Sequence, residues 1–139
     1  MRMLTPFEPY LKSLVRIMVG FTFSLHGWQK AFGAFGGLGG HTPPLTSMLG
    51  AAGVIETIGG ALIILGLFTR PVAFILAGEM AIGYFRTHAP RGFWPLTNGG
   101  ELAVFYSFFF LWLSAAGPGP WSLDHLIGWN RSGRKPPSE

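Results

Sequence analysis

Apolar residues run along this chain in four blocks, 11–31, 47–68, 72–85 and 102–116, and charged residues gather at the block ends rather than along one face of each. Helices in water carry an apolar stripe opposite a polar face; blocks that are apolar nearly all round suit lipid. The second block is long enough to cross about 30 Å of hydrocarbon, and the third and fourth reach that length only with their flanks, as 71–86 and 99–116. The pattern predicts an all-α polytopic membrane protein: a bundle of four transmembrane helices in a single domain over 1–139, with an interfacial segment at 121–129 and a disordered tail at 132–139.

The connections are short and rich in turn formers. The first runs through Gly33, Gly36, Gly37, Gly39 and Gly40 to Pro43 and Pro44, and the second from Thr87 to Gly99. The glycine run follows a membrane helix rather than a strand and leads to prolines rather than to a helix, so it lacks the context of a dinucleotide-binding loop. Thr69, Arg70 and Pro71 form the hinge between the second and third spans, with Pro71 suited to a first helical turn. Ser122 is placed to cap a short helix whose Trp121, Leu126, Ile127 and Trp129 dip into the membrane interface.

Composition sharpens this picture. Hydrophobic residues make up 49% of the chain and charged residues 12%, with a mean hydropathy of +0.40; a water-soluble surface needs more charge than that. Arg2, Lys12, Arg16, Arg70, Arg131, Arg134 and Lys135 fall on one side of a four-span bundle, against Lys30, Arg86 and Arg91 on the other. The excess places both termini in the cytoplasm of a multi-pass inner (plasma) membrane protein. Trp28 and Trp94 mark the outer interface, and Trp112, Trp121 and Trp129 the inner one. The net charge of +4 then reads as topology and attraction to anionic lipid, not nucleic-acid binding. Glu8 and Arg16 interrupt the approach, and no small-x-small cleavage site follows Ser24, so the first block is expected to stay as a helix rather than be removed as a secretory signal. With no cysteine, the chain itself carries no disulfide, thiolate metal site or thiol redox chemistry.

Candidate chemistry lies in the polar residues inside the blocks. Glu56 and Glu79 stand mid-block, where a carboxylate is costly and normally faces a partner inside a bundle. Gly53, Glu56 and Gly60 share a helical face on which small residues let another helix approach closely. Thr22, His26, Gln29 and Lys30 share one face at the outer end of the first span, and Glu79, Gly83 and Arg86 stack on the third. If these faces converge, His26, Gln29, Lys30, Arg86 and Glu101 form ligand-binding groups toward the outer side, with Glu56 and Glu79 below as proton-relaying carboxylates. Phe105, Tyr106, Phe108, Phe109 and Phe110 supply an aromatic wall, with Tyr106 among the ligand contacts. A quinone suits this combination: donors for its carbonyls, a flat apolar slot and carboxylates for its protons. The structural alternatives stand beside it. Glu56 pairs with His26 or Lys30 as a pin, Glu101 sits against a helix dipole, and the phenylalanines face lipid. No metal site is predicted, and His26 has no second histidine one turn away to complete a haem or metal site.

Further local matches are Leu25-His26-Gly27 through Lys30, Phe32-Gly33, Glu56 followed by Gly59-Gly60, and Leu65-Gly66-Leu67-Phe68-Thr69-Arg70. Gly99-Gly100-Glu101 and the close from Gly117 to Asp124 complete the set. In this order and spacing the chain resembles the DoxX family of small four-helix membrane proteins, from about Arg16 to Asp124. The resemblance implies a membrane partner of oxidoreductase systems: thiosulfate oxidation with quinone as acceptor, thiol and superoxide defence, or response to catechols and hydroquinones. It also marks Glu56 and the His26 to Lys30 segment as recurrent polar positions.

The expectation is therefore an integral membrane subunit of a quinone-linked oxidoreductase or redox-defence system. Its expected partners are membrane lipid, other membrane or membrane-associated redox proteins and a possible second copy of itself. A non-enzymatic scaffold or anchor is the alternative. A small-molecule transporter ranks below both, because no inverted repeat or broken helix pair is visible.

Overall fold

The structure, a computed structural model, describes residues 2–129, so the expectations for the tail at 132–139 and for Arg131, Arg134 and Lys135 lie outside the described residues. Among those described, the regular secondary structure is all helical, with a lone backbone bridge between Leu38 and His41 in the first loop.

A short 3-10 segment leads into α1 (Glu8–Phe32), whose first turn holds Pro9 and which stops at Gly33 in the left-handed region (φ 68°). Helix α2 (Met48–Leu65) is opened by Ser47, whose side chain accepts from the Gly50 amide at 3.1 Å. It ends earlier than its apolar block, because Gly66 (φ 64°) turns the chain over and returns its amide to Ile63 and Leu62. Apolarity alone carried the expected span to Phe68; the left-handed glycine ends it. Helix α3 (Thr69–Gly83) follows at once with Pro71 in its first turn, as the hinge predicted. It continues through a π-helical turn, Tyr84–His88. Fifteen residues of α-helix and five of π-helical turn make the third element longer than its apolar block suggested. After the four-residue α4 (Pro95–Asn98) comes α5 (Glu101–Ala116), and then α6 (Leu123–Leu126), capped by Ser122, which accepts from the His125 amide at 3.1 Å.

The four longer helices pack as two antiparallel pairs, α1 along α2 and α3 along α5, joined where α2 meets α3. Glycines set the first pair. A methyl group on Gly27 would lie 2.5 Å from the Thr57 amide nitrogen, and one on Gly53 2.7 Å from Lys30 Cβ, so backbone meets backbone without intervening side chains. The glycine face read from the second block is thus the contact face. Phe23, Ile63, Leu76, Phe110 and Leu113 fill the centre, with the Phe23 ring set edge-on to Tyr106 at 5.0 Å and to Phe110 at 4.9 Å.

One end of the bundle is closed by polar side chains. Arg16 is fully buried and donates from Nη1 to the Ile63 carbonyl at 3.2 Å and from Nη2 to the Trp121 carbonyl. Asp124, also fully buried, accepts from the Phe68 amide at 2.7 Å and the Thr69 amide at 2.8 Å, capping α3. Lys12 donates to Ala116 O at 3.1 Å, and Arg70 to Ser114 O at 3.0 Å and to Ala115 O, so both complement the carbonyl end of α5.

Outside this core the helices expose large apolar side chains over their length: Val15, Met18, Phe21, Ile55, Ile58, Phe74, Ile75, Phe105, Phe108 and Leu111 among them. Among the described residues α2 is the one helix long and apolar enough by itself to cross a membrane, with α5 apolar but shorter.

Candidate functional site

Lys30 reaches from the last turns of α1 across the glycine contact to α2, where its Nζ donates to Glu56 Oε1 at 2.5 Å. Glu56 is 1% exposed and Lys30 20%. The close approach at Gly53 allows this pairing, since it brings the Lys30 stem against the α2 backbone one turn before the acid. Of the two partners anticipated for Glu56, Lys30 is the one that bonds to it.

The second carboxylate oxygen of this pair, Glu56 Oε2, is buried without a hydrogen-bond partner, and so is Glu79 Oε2 on α3. Glu79 lies within electrostatic reach of both Glu56 and Lys30. Lys30 thus pairs with Glu56 alone, and one oxygen on each of the two carboxylates is buried without a hydrogen-bond partner. Buried acceptors are almost always satisfied in folded proteins. Each unpartnered oxygen is a group able to receive a proton or a hydrogen-bond donor.

Two further candidates border the cluster. His26, half-buried one turn before Lys30, faces the Tyr106 ring edge-on at 6.0 Å. Tyr106 projects from α5, donates its hydroxyl to Thr22 Oγ1 at 3.1 Å and lies within electrostatic reach of Glu56. With Phe23 and with Phe110, stacked on Tyr106 at 5.9 Å, it forms an aromatic lining. That lining is narrower than the wall expected from sequence. Phe105 and Phe108 point away, 74% and 68% exposed, because a helix can aim only one stripe of a consecutive aromatic run inward.

The remaining candidates are placed elsewhere. Gln29 donates to Gly37 O at 2.9 Å and so fastens the first loop to α1. Arg86 is exposed in the π-helical turn and contacts Met48 Sδ at 3.2 Å. Glu101 is exposed in the first turn of α5, the position that the helix dipole favours. The structure thus brings Glu56, Glu79, Lys30, His26 and Tyr106 together and leaves Gln29, Arg86 and Glu101 at their helix ends.

Sequence reasoning took Arg16 as a mark of orientation and did not see its burial beside Asp124, whose charge acts on it. A signal was present: Arg16 lies within the first apolar block, and a cation there needs an acid from somewhere. His88, at the end of the π-helical turn, stacks on Tyr84 and places Nδ1 3.2 Å from Asn98 O.

The chain is similar over most of its length to three proteins of known sequence. An uncharacterized protein of Haemophilus influenzae is 46% identical over 132 residues, covering 90% of this chain and 96% of its own. The inner membrane protein YphA of Escherichia coli is 31% identical over 135 residues, covering 84% and 90% respectively. The uncharacterized membrane protein Rv3486 of Mycobacterium tuberculosis is 29% identical over 130 residues, covering 81% and 78%. No solved structure matches the chain. The DoxX family model matches residues 11–89, which include most of α1, all of α2 and α3, and Lys30, Glu56 and Glu79, and with the relatives' coverage this match makes the chain a member of the DoxX family.

Proposed function

We propose that this DoxX-family chain is an inner-membrane protein of four spans, α1, α2, α3 with its π-helical turn, and α5, with both termini in the cytoplasm. In this reading 1–139 is one domain, and its internal polar cluster serves a quinone-linked oxidoreductase or redox-defence system. Membrane residence is supported by the names of the relatives from Escherichia coli and Mycobacterium tuberculosis and by the apolar side chains exposed along all four helices. The basic groups Lys12, Arg16 and Arg70 gather at one end of the bundle, which supports the orientation.

The observation that carries the functional reading is the pair of open carboxylate oxygens, Glu56 Oε2 and Glu79 Oε2, beside Lys30. Buried carboxylates with open oxygens, one of them paired with Lys30 and the other within its electrostatic reach, suit proton exchange with a bound redox head group. The aromatic edge of Tyr106, Phe23 and Phe110 suits a flat ring, and Lys30 and His26 supply donors. The test is titration of a short-chain quinone against the purified protein, with a folded Glu56→Gln, Glu79→Gln double variant alongside. Saturable binding that the double variant loses supports the reading. Undiminished binding in the variant, or none in the wild type, removes it.

A second reading is favoured by one specific observation. The Lys30–Glu56 pair lies on the tightest part of the α1–α2 contact, beside Gly27 and Gly53, which is where a pin fixing helix register belongs. In that case the chain is a membrane scaffold for redox partners, and activity of the partner complex survives neutralisation of both acids.

A further inference from the structure

Between α2 and α3 an open groove of about 220 Å³ is lined only by apolar residues. Val72, Ile75 and Leu76 line it from α3, and Glu79 continues their helical stripe, one turn beyond Ile75 and Leu76. We propose that this groove and Glu79 together bind an amphiphilic amine, with its ammonium on the Glu79 carboxylate and its hydrocarbon tail along the groove. The proposal goes beyond the quinone reading: it shares Glu79 with that reading and does not depend on it.

Charge decides the class of ligand. Lys30 pairs with Glu56 at 2.5 Å, whereas Glu79 forms no ion pair among the described residues and its Oε2 is buried without a hydrogen-bond partner. Of the two charges that act on Glu79, Glu56 acts more strongly than Lys30, so the surroundings of the acid favour a further cation and oppose a further anion. Arg86, two turns along the same helix, turns instead to Met48 Sδ at 3.2 Å. An opposite charge brought to a carboxylate in an apolar setting interacts far more strongly than in water. An ammonium also carries the N–H donor that the open Oε2 lacks. A proton that starts on the acid and one that starts on the amine lead to the same bound pair, carboxylate and ammonium. A phospholipid would set its phosphate against the carboxylate, and a neutral alcohol would leave the charge unmet.

Space is present for both parts of such a ligand. Gly83, one turn beyond Glu79, has nothing within 4 Å of the point where a side chain would begin, which leaves room for a head group beside the acid. Towards the other side, Gly59 of α2 lies against Leu76, where a methyl group would come within 2.7 Å of the leucine side chain. This close contact of the two helices forms the floor of the groove. Its flanks, Ile58 and Ile75, are exposed, so on the four-span reading the groove opens to lipid and a tail enters it sideways from the hydrocarbon. The volume suits one hydrocarbon chain, since a helix about 10 Å across needs far more room.

The test uses the full chain in phosphatidylcholine nanodiscs, with empty nanodiscs as the measure of simple partition. The probes are dodecylammonium, its neutral counterpart dodecanol, and a dodecylammonium carrying a photoactivatable diazirine in its tail. The expected result is saturable binding of dodecylammonium above the empty-disc level, about tenfold tighter than dodecanol or more, as one charge-assisted hydrogen bond implies. Glu79→Gln, which keeps the shape and loses the charge, should lose the same factor. Tail crosslinks should fall on the groove residues of α2 and α3, and Ile58→Trp, which fills the groove, should remove them. Crosslinks confined to other surfaces in the wild type overturn the proposal whether or not the variants fold. Dodecanol binding as tightly as the amine also overturns it, as does undiminished amine affinity in Glu79→Gln. A short-chain quinone that binds where the amine does not leaves the quinone reading standing and this proposal overturned; amine binding without quinone binding does the reverse.

Discussion

Asp124 and Thr69 are 55 positions apart in sequence and 2.8 Å apart in space, carboxylate oxygen to backbone amide. Together with the Phe68 amide, this contact makes a residue beyond the last long helix the cap of α3, and it sets an acid beside the buried Arg16. Asp124→Ala removes two hydrogen bonds to orphan amides and the counter-charge of a buried guanidinium. Leaving a buried amide without its acceptor costs about 1–3 kcal/mol, and with two amides affected the expected loss here is about 2–5 kcal/mol. Denaturant titration in detergent measures it, and a loss below about 1 kcal/mol would contradict the role.

The Lys30–Glu56 pair makes a different prediction. Lys30→Met leaves Glu56 buried with both oxygens open and is expected to cost about as much as breaking any buried pair. Changing Glu56→Met as well removes the stranded charge and should recover most of the stability. A double-mutant cycle measures the coupling, and simple additivity of the two losses would refute the pairing.

Close packing of α1 on α2 predicts which glycines tolerate a methyl group. Gly27→Ala meets the Thr57 backbone and should destabilise by about 1–3 kcal/mol, whereas Gly78, with nothing near its missing Cβ, should accept alanine with no loss. Thermal unfolding of the two variants side by side decides the matter; equal behaviour would mean that the helices are not in backbone contact.

Asn98 organises the second loop. Its side chain donates to the Tyr84 hydroxyl at 3.1 Å and to Gly92 O at 2.7 Å, and accepts from the Gly100 amide at 2.8 Å. Asn98→Ala should raise amide hydrogen exchange across residues 89–100 while leaving the Phe23–Phe110 core protected. Unchanged exchange in that loop would show that other contacts hold it.

Cysteine is absent from the sequence, so single-cysteine labelling needs no background removal. With the proposed orientation, Gly39→Cys and Gly92→Cys react with an impermeant thiol reagent added outside, and Ser122→Cys does not. Labelling of all three from the same side would overturn the topology.

Much of this architecture could be read from residue spacing. The face of Gly53, Glu56 and Gly60 and the face ending in Lys30 follow from helical periodicity, and these two faces meet. The hinge at Pro71 and the cap at Ser122 follow from local backbone chemistry. What spacing could not supply was anything set by how helices end or cross. Gly66 cuts α2 short through a left-handed turn, and the turn at Tyr84–His88 prolongs α3. The positions of Arg86 and Glu101 depend on the orientation of helix ends, which periodicity within a helix does not encode. Arg16 and Asp124 come within electrostatic reach only because the chain has folded back on itself.

The charges on α1 bear on how the protein is made. Taken alone, a helix with Glu8, Lys12, Arg16 and Lys30 is a poor candidate for independent entry into lipid from a translocon. Glu56 on the next helix masks Lys30, and the backbone of α2 at Ile63 accepts a hydrogen bond from Arg16. Helix α2 is the one described helix with full-length apolar character. On the proposed four-span reading, biogenesis proceeds through a helical hairpin, with α2 drawing α1 in as its charges find partners. A lesion at Gly27 or Glu56 would then show first as failed insertion and degradation of the nascent chain, before any loss of activity in the mature protein.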